Sequence, residues 1–393
     1  MRPLADSFGV YVHVPYCRRI CPYCDFNVHI AKRADWGGLA RGVTAELRAR
    51  AEVFAVPEVD SLYFGGGTPS LAPIEVLTAC KQAVAAVGPL AAGAEVTIEV
   101  DPATLDGGGY EGLRAAGVTR VSLGWQSTHD AFLRVLGRGH TAADSEEAYR
   151  LARAAGVDNV SIDLIFAVPG ETLEHLAHDL DAVERIGPDH VSLYALTYHE
   201  GTELFRRREQ KRVVPVEDDL EAEMMAFIER RLEAAGYEHY EVSNYARPGK
   251  RSRHNQLYWH GGRYLGVGPG AHSFARRGWD EGWRWEAVRE PGRYAAAWSQ
   301  DASRGRPIDG DPTVTFVEAL TARQLRNERF LLRLRTREGV DLGEAGLETA
   351  GAEVDAAVSD AVRRGWLVQE GARLVPTSVG LMNADAVAAL FFG

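Results

Sequence analysis

Six short apolar runs alternate with stretches of helical period over the first half of the chain, and this alternation restricts the fold more than any other feature of the sequence. The runs are Phe8–Val14, Val59–Phe64, Glu95–Val100, Thr119–Trp125, Asn159–Ile165 and His190–Leu196, each rich in β-branched or aromatic residues and reading as a buried strand. Between them, Glu171–Ile186 sets Leu173, Leu176, Leu180, Val183 and Ile186 on one face, and Thr141–Ala155 opens with a Thr141-x-x-Asp144 capping pattern. Six β/α units without an antiparallel signal predict an α/β chain with a parallel sheet, curled as a partial barrel or laid open and doubly wound. In either form functional groups collect at the C-terminal ends of the strands.

A further helix over about Glu217–Ala235 stops at Gly236, after which the texture changes to aromatics, Gly and Pro. Tyr237–Asp311 is expected as an irregular β and loop region laid against the barrel. From Pro312 the chain turns helical again, and two apolar runs flank Gly371 in GWLVQEGARLVPT like a hairpin, which predicts a small C-terminal winged-helix-like domain. The expected division is 1–236, 237–311 and 312–393.

The charge balance bears on partners. Asp+Glu 55 against Lys+Arg 44 leaves a net charge of −11, the wrong sign for binding nucleic acid through the overall field. Arg323–Arg337 interleaves its arginines with Leu325, Phe330, Leu331, Leu332 and Leu334 and reads as an amphipathic helix, while the RRREQKR run at Arg206–Arg212 reads as a loop surface. No stretch reaches 18 consecutive apolar residues and the start lacks the order of a signal peptide, so a cytoplasmic protein is expected.

Three of the four cysteines, Cys17, Cys21 and Cys24, fall together just after the first apolar run in YVHVPYCRRICPYCDF. Three thiolates at the mouth of a sheet suit iron–sulfur or zinc chemistry, and with only Cys80 left over, in a helical stretch where it reads as a core thiol, one metal position stays open. A closed zinc knuckle would want a fourth ligand. Gly65-Gly66-Gly67-Thr68-Pro69, directly after the second apolar run, lets backbone N–H groups approach a ligand closely.

The C-x3-C-x2-C spacing resembles the signature of the radical S-adenosylmethionine (SAM) superfamily, whose members use three cysteines to hold a [4Fe-4S] cluster with SAM on the fourth iron. Its fold, a partial (β/α)6 barrel, agrees with the six units. Over nearly the whole chain the segments resemble the coproporphyrinogen dehydrogenase-like branch. That resemblance implies that Tyr11, Gly66, Glu99, Ala195 and Ala271 line SAM, that Tyr23 packs on it, and that Gly67, Thr68, Gln126, Arg138 and Asp163 match positions holding a second SAM.

Two departures narrow the branch: the dehydrogenase has a fourth cysteine two residues after the third, where Phe26 stands here, and a long extension before the cluster, where only sixteen residues precede Cys17. His254-Asn255-Gln256-Leu257-Tyr258-Trp259 instead resembles the HNxxYW motif of the HemW-type heme-chaperone family. The resemblance implies heme as cargo, client hemoproteins including membrane-associated respiratory enzymes, a reductase, ferredoxin or flavodoxin as electron donor, and no nucleic acid; it leaves open a homodimer and whether SAM is cleaved. His254 is then a candidate axial ligand, with His260 and His272 as further imidazoles for the iron, Tyr258 and Trp259 as flat apolar surface, and Lys250, Arg251 and Arg253 as propionate partners. The other reading of His254 is a buried, hydrogen-bonded histidine. The alternative functions are an oxygen-independent coproporphyrinogen III oxidase and a radical SAM methyltransferase.

Overall fold

The computed structural model describes residues 4–54, 56, 58–299, 308–343 and 352–392. Six strands run parallel in sequence order at its centre: β1 (Phe8–Val14), β2 (Val59–Gly66), β3 (Leu90–Val100), β4 (Arg120–Gln126), β5 (Val160–Phe166) and β6 (His190–Ala195). Their burial explains the unbroken apolar texture of the sequence. Val10, Val12, Leu62, Ile98, Val121, Leu123, Val160, Ile162 and Val191 are all at most 1% exposed, as strands covered on both faces require.

One crossover helix begins at the expected cap, and a second carries a cap of the same kind. Thr141 with Asp144 forms a complete capping box on Ala142–Ala154, and Thr172 with His175 does the same for Leu173–Ile186, which ends on Gly187 in the left-handed region (φ 64°). Each reciprocal cap satisfies two end N–H groups and is worth about 1 kcal/mol. Asp218–Ala234 follows as the long helix expected before Gly236.

The aromatic and Gly-rich segment is more regular than its composition implies. β7 (Glu238–Glu241) and β8 (Asn244–Ala246) form a hairpin in which β8 pairs antiparallel with β6. On the opposite side β9 (Arg263–Val267) lies parallel to β1, and β10 (His272–Arg277), β11 (Glu281–Ala287) and β12 (Val314–Thr321) continue antiparallel, giving one twelve-stranded sheet. These strands escape a search for apolar runs because they alternate aromatic with charged residues, as Trp283-Arg284-Trp285-Glu286 does. Residues 300–307 of this segment and 344–351 of the C-terminal one lie outside the described residues.

Two local expectations are corrected. HNQLYW is not loop: Arg253–Trp259 is a helix capped by the Ser252 hydroxyl, with His254 and Leu257, three apart, turned into the core. The Arg206–Arg212 run is half helical, since Glu203–Glu209 is capped by Thr202 and Glu203 pairs with Arg206 and Arg207 one turn on. Helix Ala322–Arg333 bears out the amphipathic reading, with Leu325 and Phe330 buried. Phe330, Leu334, Val340, Val358, Leu367, Leu374 and Val387 form a core of their own around a small three-stranded sheet, Val340–Asp341, Arg373–Pro376 and Leu367–Glu370. Among the described residues, no helix is long and apolar enough to cross a membrane.

Candidate functional site

The loop leaving β1 carries the three cysteines as free, half-buried thiols. Its base is pinned by a two-residue parallel pairing of Tyr16–Cys17 with His29–Ile30, and its turn by the Cys24 N–H donating to the Cys21 carbonyl at 3.1 Å. The Thr68 hydroxyl donates to Cys17 Sγ at 3.4 Å and Arg138 Nη1 to Cys21 Sγ at 3.8 Å. Burial, with neighbouring thiols adding to it, raises the pKa of Cys17 and pushes that of Cys24 to about 11. Such a crowded set becomes ionised against bound cationic metal. The three sulfurs do not all come within 4.8 Å of one another, whereas ligands about 2.3 Å from one zinc would stand about 3.8 Å apart. The donor set therefore fits a multi-iron cluster better than a single ion. Cys80 is 1% exposed inside Ile74–Val87, and burial alone raises its thiol to about 12.

The ends of β1, β2 and β3 converge beside this loop. In register, Tyr11 sits opposite Tyr63 and Val14 opposite Gly66. Glu99, near the end of β3, accepts from the Gly66 N–H at 3.0 Å and from the Tyr63 hydroxyl at 2.9 Å. Burial raises its carboxyl to about 7, with Asp163 adding to the shift and the hydrogen bonds opposing it. Gly66 has φ 114° and a Cβ there would lie 2.5 Å from the His13 ring; one on Gly67 would meet the Tyr16 carbonyl oxygen at 2.8 Å. Only glycines let this turn pass between β1 and the cysteine loop.

The other residues expected around SAM divide into two groups. Arg138 ties the cluster loop to the strand ends, donating to Asp101 Oδ2 at 2.8 Å and to the Gly124 carbonyl at 3.3 Å besides Cys21; Gln126 lies beside it at the end of β4, with φ 70° where the β4–β5 register shifts. Tyr23 packs with Phe132, Leu136 and Ile165, its hydroxyl pKa raised by burial. Asp163 sits deeper, accepting from the Ser122 hydroxyl at 2.9 Å and the Ser161 hydroxyl at 3.4 Å, its pKa raised by burial. Ala195 ends β6 opposite Phe166. Ala271 is 1% exposed and its backbone is already engaged with Gly268 and Ala287.

A cavity of about 710 Å³ opens from Tyr11, Gly66 and Glu99 toward β9 and β10, a volume suited to a large organic ligand. Tyr258, Tyr264 and Phe274 form an aromatic wall, Leu331, Leu332 and Ala388 an apolar one, and Arg284, Arg289 and Arg335 reach its edge. Asp25, Phe26 and Asn27 of the cysteine loop also line it, as do His13 and His272. His13 is signalled in the sequence by its i+2 spacing from Tyr11 on one strand face, as Phe274 is from His272. The arginines carry no local signal, since they come from three separate elements.

Comparisons with known proteins identify the fold and the family. Residues 11–183 match the model of the radical SAM superfamily. A coproporphyrinogen III oxidase, HemN, from Escherichia coli shares the fold, with TM-score 0.81 over 99% of this chain and 91% of that one at 20% identity. The heme chaperone HemW of Mycobacterium tuberculosis (strain ATCC 25618 / H37Rv) is 38% identical, over 99% of this chain and 95% of the relative. The chain belongs to the HemW family of radical SAM proteins. HemW from Escherichia coli (strain K12) is 36% identical over 67% of this chain and 69% of its own length.

Within this family member the HNQLYW helix is placed differently from its expected role. His254 is 1% exposed; its Nδ1 meets the Ser61 hydroxyl at 2.8 Å, its Nε2 the Tyr258 hydroxyl at 2.7 Å, and its ring stacks on Tyr63 at 5.0 Å. Burial, with Arg120 adding to it, lowers its pKa to about 3. Of the three candidate residues only Tyr258 lines the cavity. Trp259 is half-buried, with its indole N–H buried. His260 is held by the Gln256 carbonyl at 2.8 Å and Glu338 at 3.2 Å. Lys250 turns to Asp158 and Asp189, Arg251 to Glu238 and Glu338, and Arg253 to the Gly93 carbonyl, so the three basic neighbours face away from the cavity.

Proposed function

We propose that this chain is a heme chaperone: Cys17, Cys21 and Cys24 hold a [4Fe-4S] cluster, the strand ends beside them hold SAM, and the adjoining cavity holds heme for transfer to client hemoproteins in the cytoplasm. The observation that carries this reading is the continuity of one cavity from Tyr11, Gly66 and Glu99 to the Tyr258, Tyr264 and Phe274 wall, in a chain of the HemW family. A cluster on the three thiolates would supply an open iron for the SAM amine and carboxylate and, once reduced by a donor such as a flavodoxin, the electron for SAM cleavage.

The protein's own groups do the rest. Glu99, fixed by Gly66 and Tyr63, is the acceptor for the SAM amine. Arg138 holds its guanidinium against Cys21, where its charge offsets that of the thiolate and its N–H groups orient the loop. Tyr23, Gln126, Asp163, Ala195 and Ala271 shape the SAM side, and Gly67 and Thr68 bring backbone and hydroxyl to its edge. In the cavity the aromatic wall offers apolar surface to a porphyrin, and Arg284, Arg289 and Arg335 offer guanidinium forks for propionates. Each arginine is already paired, with Glu318 and Glu328, with Glu286 and with Asp385 respectively. Propionates would therefore exchange with these carboxylates, and such exchange suits a carrier that must release its cargo.

The deciding experiment incubates anaerobically reconstituted protein with coproporphyrinogen III, SAM and reductant, alongside a heme titration. Stoichiometric heme binding without porphyrinogen oxidation is expected. Protoporphyrinogen IX formed at enzymatic turnover would replace the chaperone reading by an oxidase.

Glu99 gives this reading a pH signature. A carboxylate must be ionised to accept from the amine, and one titrating at about 7 should weaken SAM binding about tenfold between pH 8 and pH 6. The free amine titrates in the same direction, so the difference between wild type and Glu99→Gln isolates the carboxylate: the variant should bind weakly at pH 8 with a flatter profile, its iron content unchanged. The linked effect on stability has the opposite sense. A carboxyl raised above its ordinary value takes up its proton in the folded state first, so its contribution is fully present below that ordinary value and lost as pH rises through about 7. Ligand-free wild type should lose melting temperature between pH 5 and 8 more steeply than Glu99→Gln. Identical pH profiles for the two proteins would remove Glu99 from the site.

A further inference from the structure

The turn after β4 and the first turns of helix Leu173–Ile186 bring together donors that play no part in the site above. Among the described residues, His129, His178 and Asp179 are the one group of three His, Cys, Asp or Glu donors whose ligand atoms all lie within 4.8 Å of one another. From this geometry we infer a binding site for one divalent transition-metal ion of the zinc type, which clamps the Ser127–His129 turn to that helix.

The hydrogen bonds around Asp179 and His178 already have the pattern of a metal site's outer shell. His129 turns Nε2 toward Asp179, 3.9 Å from its Oδ1, with the His175 carbonyl oxygen 3.1 Å from the same nitrogen; an ion bound there would take the Nε2 lone pair, leave the proton on Nδ1 and release that carbonyl. Asp179, 2% exposed, accepts from the Thr128 N–H at 2.8 Å, from the Thr128 hydroxyl and from the Ser127 hydroxyl at 3.2 Å. Because the Thr128 hydroxyl donates to Asp179, it accepts from His178 Nδ1 at 2.9 Å, and His178 Nε2 keeps its lone pair. Metal-ligating histidines characteristically donate their second N–H, as His178 does to Thr128, which fixes tautomer and ring orientation. Three donors on a carboxylate with about four acceptor positions leave one for a metal.

The donor chemistry selects the ion. Two imidazoles and one carboxylate suit Zn²⁺, Ni²⁺ or Cu²⁺, whereas Mg²⁺ and Ca²⁺ want oxygen throughout. Three protein ligands leave a fourth tetrahedral position for water, and His178 is exposed, so water reaches it. His175 stands edge-on to His129 at 5.1 Å, its Nδ1 engaged in the helix cap. The clamp has a structural destination. His129 leads into helix Asp130–Val135, whose Phe132 packs with Tyr23 of the cysteine loop, and beyond that helix lies Arg138. An ion here would hold the segment that positions the cluster's guanidinium partner.

The site rests on its own residues and is independent of the heme reading. The test is calorimetric titration of Zn²⁺ into the cluster-loaded protein, in which the thiols of the cysteine loop are occupied, with Mg²⁺ as control and with His178→Ala and His129→Ala variants. The expected result is one Zn²⁺ per chain in wild type, at least about tenfold weaker in either variant, and no Mg²⁺ uptake. Saturating Zn²⁺ should raise the wild-type melting temperature by about 3 °C and leave that of His178→Ala unmoved. His178 is exposed, so its replacement preserves the fold, and unchanged cluster absorption verifies that. Unchanged Zn²⁺ affinity in His178→Ala, or no wild-type binding tighter than about 0.1 mM, would overturn the proposal.

Discussion

Replacing Cys17, Cys21 or Cys24 by alanine is expected to take anaerobically reconstituted protein from about four irons per chain to almost none, with loss of the broad absorption near ~400 nm. On the proposed reading the three loop thiols hold the whole assembly, and the other cysteine, Cys80, is sealed in a helix with a thiol held neutral by burial. Cys80→Ala should therefore keep full iron content and lose only packing. Iron and acid-labile sulfide assays decide it: a cluster that survived any of the three loop substitutions, or vanished in Cys80→Ala, would sink the three-thiol site. Arg138→Ala should separate binding from tuning. Its guanidinium donates to Cys21 Sγ at 3.8 Å, and hydrogen bonds and positive charge at cluster sulfurs favour the reduced state. That variant should retain its iron and show a lower reduction potential in an EPR-monitored redox titration.

The parts of this molecule that the sequence discloses are those governed by local rules. Buried parallel strands need apolar residues at consecutive positions, so β1 to β6 stand out, and the capping threonine at 141 marks its helix because the cap is a contact within four residues. The thiol loop is legible for the same reason: cluster ligation needs fixed spacing within one turn of chain. What depends on tertiary approach is not legible. HNQLYW alone leaves His254 open between an axial ligand and a buried, hydrogen-bonded histidine; the fold places it in the second way, with Ser252 capping the segment into a helix and Ser61 on β2 taking one nitrogen of His254. Lys250, Arg251 and Arg253 are adjacent to that motif in sequence but reach carboxylates and carbonyls on the far side. The arginines that do edge the cavity come from β11, the segment after it, and the chain just beyond helix Ala322–Arg333, a juxtaposition that only the folded sheet creates.

His272→Ala is expected to abolish or strongly shift the Soret band of the heme complex, whereas His254→Ala should leave its position unchanged. An axial ligand needs a nitrogen lone pair that can reach iron. Both ring nitrogens of His254 are bonded, to Ser61 and Tyr258, and those of His13 face the Tyr11 hydroxyl at 3.1 Å and the Asn27 carbonyl at 2.8 Å. Both nitrogens of His260 are held as well. His272 has a side chain 56% exposed at the cavity wall, with Nε2 3.7 Å from Glu286, a carboxylate that can orient the ring while the metal is bound. Removing His254 strands the Ser61 and Tyr258 hydroxyls in the interior and should cost about 1–3 kcal/mol of stability, visible as a lower melting temperature with an intact spectrum. Trp259→Ala, at a residue that does not line the cavity, should behave in the same way. Heme titrations followed at the Soret maximum, with cluster absorption as the folding control, distinguish the two residues. Loss of the band in His254→Ala with retention in His272→Ala would mean that helix Arg253–Trp259 opens to release its imidazole to the iron, and the ligand would then be His254.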